Sequence, residues 1–124
     1  MIHAICLNPV LDRLYHLDRF TPGRKFKRSV PELVASGKGV NIAKACAALL
    51  EPAKLYVFIG VHVGMFLREA FDRQGLDALY FAACGETRET INIIDGASGA
   101  ETEIIEVGPP VRQEELDRFM ATLA

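Results

Sequence analysis

The first half of the chain alternates short apolar runs with a longer amphipathic segment. Residues 2–7 form an apolar run that ends at Asn8-Pro9, which is too short for a helix and predicts a buried strand. Residues 39–50 are rich in Ala, Leu, Ile and Lys and stop before Glu51-Pro52, so they predict a helix. Residues 55–59 predict a second buried strand.

The alternation continues into the second half of the chain. Residues 65–74 place two phenylalanines, a leucine and an alanine on one helix face, and Gly75 suits the position after the helix end. Residues 79–83 predict a third short strand, and residues 114–123 a closing amphipathic helix. Strands that alternate with helices favour a parallel sheet flanked by helices, so the predicted fold class is α/β.

Two inserted segments, at about residues 12–30 and 90–107, carry a different pattern. In the first, alternating runs on either side of Thr21-Pro22-Gly23 predict a half-exposed two-stranded ribbon, with its second strand at residues 25–30. In the second, two β-rich runs flank a Gly-Ala-Ser-Gly segment, which predicts a hairpin. We expect both ribbons to form lid strands over the parallel sheet.

Composition narrows the classes of function. The chain has 124 residues, of which 50% are hydrophobic, so we expect one domain with its own core. Its formal charge of −2 argues against nucleic acid or anionic lipid as a partner. No apolar stretch approaches the roughly 20 residues of a membrane helix, and the first residues lack the pattern of a signal peptide. We therefore expect a soluble, cytoplasmic protein without membrane contact.

The cysteines and histidines suggest no metal site. Cys6, Cys46 and Cys84 are odd in number and widely spaced, and none belongs to a cluster with metal-ligand spacing. We expect them to be buried free thiols in a reducing compartment. The three histidines are scattered, and we assign them no role.

The segment Ser36-Gly37-Lys38-Gly39-Val40-Asn41 is the main candidate for chemistry. Glycines directly before a helix let backbone N–H groups approach an oxygen-rich ligand at the positive end of the helix dipole. The spacing alone fits equally well a tight turn that needs small residues. Lys38 is followed by Gly39 instead of Ser or Thr, and Asn41-Ile42 replaces the last glycine of a dinucleotide motif. Nucleotide phosphate binding at this loop is therefore disfavoured.

A family resemblance rests on four ordered motifs. Leu7-Asn8-Pro9-Val10-Leu11-Asp12 and residues 36–43 closely resemble the TLNPxxD and GGKGxNxA segments of PfkB-type, ribokinase-like sugar kinases, in the branch of 1-phosphofructokinase and tagatose-6-phosphate kinase. Phe58-Ile59-Gly60 and Glu86-Thr87-Arg88 resemble further segments of that branch. Ser36 departs from the pattern, because it occupies the place of the first loop glycine. The resemblance implies a ribokinase-like fold, with residues 1–124 as its N-terminal, sugar-binding portion.

The resemblance also implies which residues contact the sugar. Asp12 and Asn41 would read sugar hydroxyl groups through direct hydrogen bonds, and Gly37 and Gly39 would bring backbone amides close to the ligand. For Asp12 the alternative is an Asx turn or a helix cap after Pro9.

Basic residues would meet the phosphate that the substrate already carries. The resemblance implies this role for Arg88, Lys25 and Lys27, and Lys38 would add to the same positive field. Arg88 is favoured because its planar guanidinium suits bidentate phosphate binding. For Lys25 and Lys27 the alternative is a solvated ribbon edge.

The resemblance implies that the ATP site and the catalytic Asp of the family lie outside these 124 residues. The family uses ATP and Mg²⁺ and carries its catalytic Asp in a GAGD motif, a sequence that these 124 residues do not contain. We therefore expect a truncated fold with no catalytic residue, no bound nucleotide and no kinase activity of its own. The alternative is a non-catalytic sugar-phosphate-binding or dimerisation module. Relatives pair through their lid ribbons, which implies a homodimer.

Overall fold

The computed structural model of the chain describes residues 1–27 and 29–124. Arg28, which belongs to the first predicted ribbon, lies outside the described residues. The described elements, in chain order, are β1 (Ile2–Cys6), β2 (Val10–Leu17), β3 (Glu32–Ser36), α1 (Lys38–Ala48), β4 (Ala53–Ile59), α2 (His62–Arg73), β5 (Ala78–Ala82), β6 (Arg88–Asp95), β7 (Glu101–Ile105) and α3 (Gln113–Leu123).

The three predicted strands form a parallel sheet in the order β1-β4-β5. The prediction of a buried strand is wrong for β1, because β1 lies at the edge of this sheet and Ile2 and Ile5 on it are exposed. The central strand β4 has the longest apolar run, and Leu55 and Val57 on it are fully buried. Because side chains alternate along a strand, these two residues face the helices α1 and α2, where Leu67 and Phe71 pack against them. The predicted α/β architecture is confirmed.

The opposite face of this sheet packs against α3. Phe58 and Phe81 stack with their ring centroids 5.3 Å apart, and Phe119 of α3 meets both rings edge-on. Offset and edge-to-face contacts of this kind stabilise aromatic clusters beyond the burial of their area. The closing helix therefore covers β4 and β5 and completes a three-layer arrangement.

The two predicted ribbons join into a single sheet. Its order is β3-β2-β6-β7, with β2 parallel to β6 and the outer strands antiparallel to their neighbours. We call it the lid sheet. The predicted hairpin of β6 and β7 is confirmed, but the first ribbon is different from the prediction. Its second strand is β3 and not residues 25–30, because β3 is the segment that pairs with β2, with Ser36 opposite Val10.

The charged and apolar alternation around Phe26 belongs to the connection between β2 and β3. Phe26 packs there against Phe20, with 5.9 Å between the ring centroids. Phe26 therefore has an aromatic packing partner although its segment does not form the predicted strand.

The helix ends show how two boundaries differ from the predictions. Helix α1 ends at Ala48, and Leu50 adopts a left-handed backbone with a φ of 59°. The N–H of Glu51 then donates to the carbonyl of Cys46 at 2.9 Å, so the helix closes without a glycine. Helix α2 begins at His62, one turn before the predicted residue 65.

Cys6 and Cys46 are buried free thiols and Cys84 is half-buried, as expected in outline. In the part of the chain that the structure describes, no helix has the length and apolar character needed to cross a bilayer.

Candidate functional site

The candidate site lies where both sheets meet the start of α1. Strand β1 ends at Cys6, β2 begins at Val10, and β3 ends at Ser36 immediately before the glycine loop. Strand β6 begins beside them, because Arg88 pairs with Val10 in the parallel register. This topology brings together residues from three separated parts of the sequence.

Gly37 and Gly39 allow the loop to touch the end of β1. Gly37 has a φ of 137°, and a Cβ atom there would stand 2.7 Å from the sulfur of Cys6. At Gly39 a Cβ atom would collide with the carbonyl group of Ile5. Both glycines therefore have a packing role, which supports the tight-turn interpretation. The same close approach leaves the backbone N–H groups of the loop without side chains over them.

Among the described residues, no side-chain acceptor and no acidic residue of the first turn satisfies the free N–H groups at the start of α1. The first N–H groups of a helix have no intrahelical acceptor, and the helix dipole makes this end positive. Among the described residues, no side chain caps Gly37, and the first turn contains Lys38 but no acidic residue. A cation at this end is unfavourable unless an anion binds there.

Arg88 adds a second positive charge at the same place. Arg88, Lys38 and Gly39 line a cavity of about 230 Å³, together with the end of β1 and Asn8. The Nη2 atom of Arg88 donates to the Asn8 carbonyl at 3.3 Å. Its Nε atom is buried and has no hydrogen-bond partner within residues 1–27 and 29–124. A buried unpaired donor is costly, so the cavity is suited to an anionic ligand.

Asp12 and Asn41 both lie near Ser36. Asp12 lies inside β2, where it pairs with Val34 and Thr90, so the cap or Asx-turn alternative is wrong. The Ser36 hydroxyl donates to Asn41 Oδ1 at 3.4 Å. Burial raises the pKa of Asp12, while the Ser36 hydroxyl and the nearby charge of Arg88 oppose that rise.

Lys25 and Lys27 occupy a different region. Both are exposed and lie in the connection between β2 and β3, and Lys27 lines a groove with His16 and Phe26. Neither lysine lines the cavity of Lys38 and Arg88. Their contact with a substrate phosphate stays a prediction.

Comparisons with known proteins agree with the motifs. The family model described as pfkB family carbohydrate kinase matches residues 7–122. This chain belongs to the PfkB family of carbohydrate kinases. The predicted membership is thereby confirmed.

Two curated relatives and one solved structure are similar to this PfkB-family chain over nearly its whole length. It is 31% identical to a tagatose-6-phosphate kinase of Staphylococcus epidermidis over 99% of its own length, and 27% identical to a 1-phosphofructokinase of Bacillus subtilis over 97%. The chain spans 39% of the length of each relative. It superposes with a TM-score of 0.89 on phosphofructokinase-2 of Escherichia coli, solved in complex with fructose-6-phosphate, at 23% identity, covering 98% of this chain and 40% of that one. The ribokinase-like fold is confirmed.

Lys44 is a site residue that the sequence interpretation missed. Its ammonium group donates to the carbonyl of Ala35, the residue that precedes Ser36. Burial lowers the pKa of Lys44, and the negative charge of Asp12 opposes that effect. The spacing of three residues from Asn41 was the available signal, because it places both side chains on one helix face.

Glu86, which the sequence indicated only as part of a motif, caps the start of α2. Its carboxylate accepts hydrogen bonds from the backbone N–H groups of His62 at 2.9 Å and Val63 at 3.1 Å, which are at the start of α2. Thr87 next to it accepts from the N–H of Gly60 at 2.8 Å. These contacts fix the segment that leads into β6 and therefore position Arg88.

Metal binding has no obvious location in this PfkB-family chain. Within the described ranges, no group of three or more His, Cys, Asp or Glu side chains is arranged to hold an ion.

Proposed function

We propose that this chain is the sugar-phosphate-binding part of an ATP-dependent phosphohexose kinase. The observation that carries the proposal is the cavity that Arg88 and Lys38 line at the uncapped start of α1, where the buried Nε atom of Arg88 has no hydrogen-bond partner among the described residues. Two cations and a helix N-terminus favour a dianionic group, and a phosphate has enough oxygens to accept from all of them.

The remaining part of the site supports a sugar as the group that carries the phosphate. Asp12 and Asn41 offer a carboxylate and a carboxamide, and Ser36 lies near both of them. Such groups hydrogen-bond adjacent hydroxyl groups directly. A compound without those hydroxyl groups would leave the polar side chains unpaired and would bind more weakly.

The relatives support a phosphorylated hexose as the class of substrate. Their names specify tagatose 6-phosphate or a phosphofructokinase reaction, and the structurally similar phosphofructokinase-2 was solved with fructose-6-phosphate. We propose fructose 1-phosphate, fructose 6-phosphate or tagatose 6-phosphate as the ligand. ATP, Mg²⁺ and the base that deprotonates the sugar would act through residues other than those of this chain. On this proposal the 124 residues bind the sugar phosphate but transfer no phosphoryl group.

Binding can be tested by thermal unfolding and calorimetric titration of the chain with the three hexose phosphates. A ligand that binds only the native state raises its melting temperature. We expect a rise with at least one hexose phosphate and a smaller rise with fructose or inorganic phosphate alone. Arg88→Met and Asp12→Asn should each weaken binding about tenfold or more, since each removes a charged hydrogen-bonding partner.

Arg118→Met is the matched control, because Arg118 is exposed on α3 and lies away from the cavity. It should bind as the unchanged chain does. Equal melting temperatures with and without all three hexose phosphates at millimolar concentration would contradict the proposal. ADP formation from ATP and a hexose phosphate by the chain alone would contradict the proposed lack of transfer.

We also propose that the lid sheet pairs with the lid sheet of a second copy. The face opposite Asp12 carries a groove of about 540 Å³, and its lining includes Tyr15, Ile91, Ile93 and Ile104. Contiguous exposed apolar surface of this kind is typical of a protein interface. Sedimentation equilibrium should show a dimer that Ile104→Lys dissociates, while Val107→Lys, outside the groove, leaves it intact. A monomeric unchanged chain at high concentration would argue against this assembly.

A further inference from the structure

Strand β6 carries two buried polar side chains that do not line the cavity of Lys38 and Arg88. Thr90 is 6% exposed and Asn92 is 8% exposed. Asparagine is depleted in strands, because its side chain competes for backbone hydrogen bonds and packs poorly on a pleated surface. The two residues are separated by one position, so their side chains lie on the same face of the lid sheet. A buried asparagine in this sheet therefore points to a role other than packing.

The same face of the lid sheet carries Asp12. In the parallel register of β2 and β6, Thr90 pairs with Asp12, and Arg88 at the start of β6 lies on this face as well. Neighbouring strands are about 4.8 Å apart, so Thr90 and Asp12 are adjacent. Because a strand rises about 3.3 Å per residue, Thr90 lies roughly 7 Å and Asn92 roughly 13 Å beyond Arg88 along β6. The polar positions therefore form a row that starts at the proposed phosphate site.

Thr90 and Asn92 lack the partners that other buried polar side chains have. Among the described residues, Thr87 and Glu115 are also buried, and each accepts a hydrogen bond from a backbone N–H group. No side-chain hydrogen bond of Thr90 or Asn92 occurs in the part of the chain that the structure describes. Their polar atoms are not sealed in the core either, because Nε of Arg88 is the one fully buried side-chain N or O atom without a partner there. These atoms therefore reach an opening on the face of Asp12.

The three side chains complement the hydrogen-bonding groups of a sugar. An ionised carboxylate such as that of Asp12 only accepts hydrogen bonds, whereas the Thr90 hydroxyl and the Asn92 amide both donate and accept. A sugar hydroxyl group that donates to Asp12 can therefore accept from Thr90. A buried polar group without a partner also costs free energy in the unliganded chain, and a ligand that pairs with it removes that cost.

We propose that Thr90 and Asn92 are further substrate-binding residues, which together with Asp12 hold the hydroxyl groups of a sugar whose phosphate lies at Arg88. The inference rests on the proposed function, and it extends the sugar site from the glycine loop along β6. Thr90 binds the part of the sugar next to Asp12, and Asn92 binds the end that is remote from the phosphate. The lid sheet thereby takes a direct part in sugar recognition.

Substitutions of similar volume test the two side chains separately. Thr90→Val and Asn92→Leu remove the hydrogen-bonding groups, and each should weaken binding about threefold to tenfold in calorimetric titration with fructose 1-phosphate, fructose 6-phosphate and tagatose 6-phosphate. Thr90→Ser retains the hydroxyl and should bind within about twofold of the unchanged chain. Thr102→Val is the matched control, because Thr102 is exposed on β7 and pairs with Ile93, which lies on the opposite face of the lid sheet. It should leave the affinity unchanged.

The melting temperature of the unliganded chain separates a binding role from a structural one. If Thr90 and Asn92 are unpaired until a ligand arrives, their replacement by apolar residues removes the cost of burying a polar group. Thr90→Val and Asn92→Leu should therefore each raise the melting temperature by about 2–5 °C while they weaken binding. A side chain that stabilises the fold through a hydrogen bond would give the opposite result, because its removal lowers the melting temperature.

The outcomes separate this inference from the function on which it rests. Absence of binding of all three hexose phosphates to the unchanged chain would overturn both. Unchanged affinity in Thr90→Val and Asn92→Leu, while Arg88→Met binds more weakly, would overturn only the role of the two residues. A lower melting temperature of these two variants, or their failure to fold, would also overturn that role, because the side chains would then have structural partners. An equal loss of affinity in Thr102→Val would contradict it as well, since the loss would not depend on the face of Asp12.

Discussion

The N-termini of α1 and α2 differ in the charge of the side chains beside them, although both have free N–H groups and a positive helix dipole. At α2 the carboxylate of Glu86 accepts from the first free N–H groups and supplies the negative charge that the dipole favours. At α1 the first residue is Lys38, the cap is a glycine, and Arg88 stands close by. Glu86 and Arg88 are separated by a single residue, so one short segment completes α2 and leaves α1 open to an external anion.

The comparison shows how an anion-binding site of the kind proposed would lower the stability of the unliganded chain. Helix α3 follows the example of α2, since the N–H of Arg112 donates to the Glu115 carboxylate at 2.7 Å. Of the three helices in the described residues, α2 and α3 therefore have a carboxylate at the N-terminus. Among these three, α1 alone has positive charge there, which is unfavourable for the free chain and favourable for binding an anion.

The largest expected effect tests the loop that places α1. Gly39→Ala should lower the free energy of unfolding by about 2–3 kcal/mol, because its Cβ would collide with the Ile5 carbonyl group and the backbone would have to shift. Chemical denaturation measures the change. Gly75→Ala is the control, since Gly75 has a φ of 69° but no described atom within 4 Å of the added carbon. It should cost about 1 kcal/mol, and an equal loss in both variants would refute the close packing at Gly39.

A smaller effect on stability is expected when the carboxylate that caps α2 is removed. Burial alone would raise the pKa of Glu86, but the hydrogen bonds from His62, Thr87 and Val63 outweigh it and hold the pKa below its ordinary value of 4.5. The carboxylate therefore stabilises the fold at pH values above 4.5. This contribution is lost as the pH falls through the lowered pKa of Glu86. Glu86→Gln should cost about 1 kcal/mol near pH 7 and much less near pH 3.

The control for that measurement is Glu114→Gln, an exposed change in the first turn of α3. It should cost only a few tenths of a kcal/mol. A loss of stability in Glu86→Gln that is the same at both pH values would show that the charge of Glu86 does not contribute.

The smallest expected effect has the opposite sign. Lys38→Glu places a negative charge at the start of α1 and should raise the free energy of unfolding of the unliganded chain by about 0.5 kcal/mol. The same change should abolish hexose-phosphate binding, because it puts an acid into the cavity of Arg88. Paired denaturation and titration experiments measure both quantities.

Arg24→Glu provides the same change of charge outside any helix and should leave the stability nearly unchanged. Loss of stability in Lys38→Glu would mean that the start of α1 is not the unfavourably positive end that the comparison with α2 indicates.

Much of the architecture could be predicted from local patterns. The buried strands and three helices follow from apolar periodicity, and their order already indicated a parallel sheet. Asp12, Arg88 and the glycine loop were identified by motif, and the structure brings them to one place. Each of these inferences depends on residues that are near one another in the chain or on a resemblance that spans most of it.

The remaining features depend on contacts between distant residues, which no local pattern reports. β3 could not be located because its strand state comes from pairing with β2, and the parallel pairing of β2 with β6 has no nearby signal. Glu86 reaches α2 from more than twenty residues away, as the contact with Val63 shows. Periodicity predicts which side of an element is buried, so the sequence by itself determined the layers of the fold. Only the tertiary structure decided which helix start is capped and which is open, because that depends on where a distant carboxylate and a distant guanidinium come to lie.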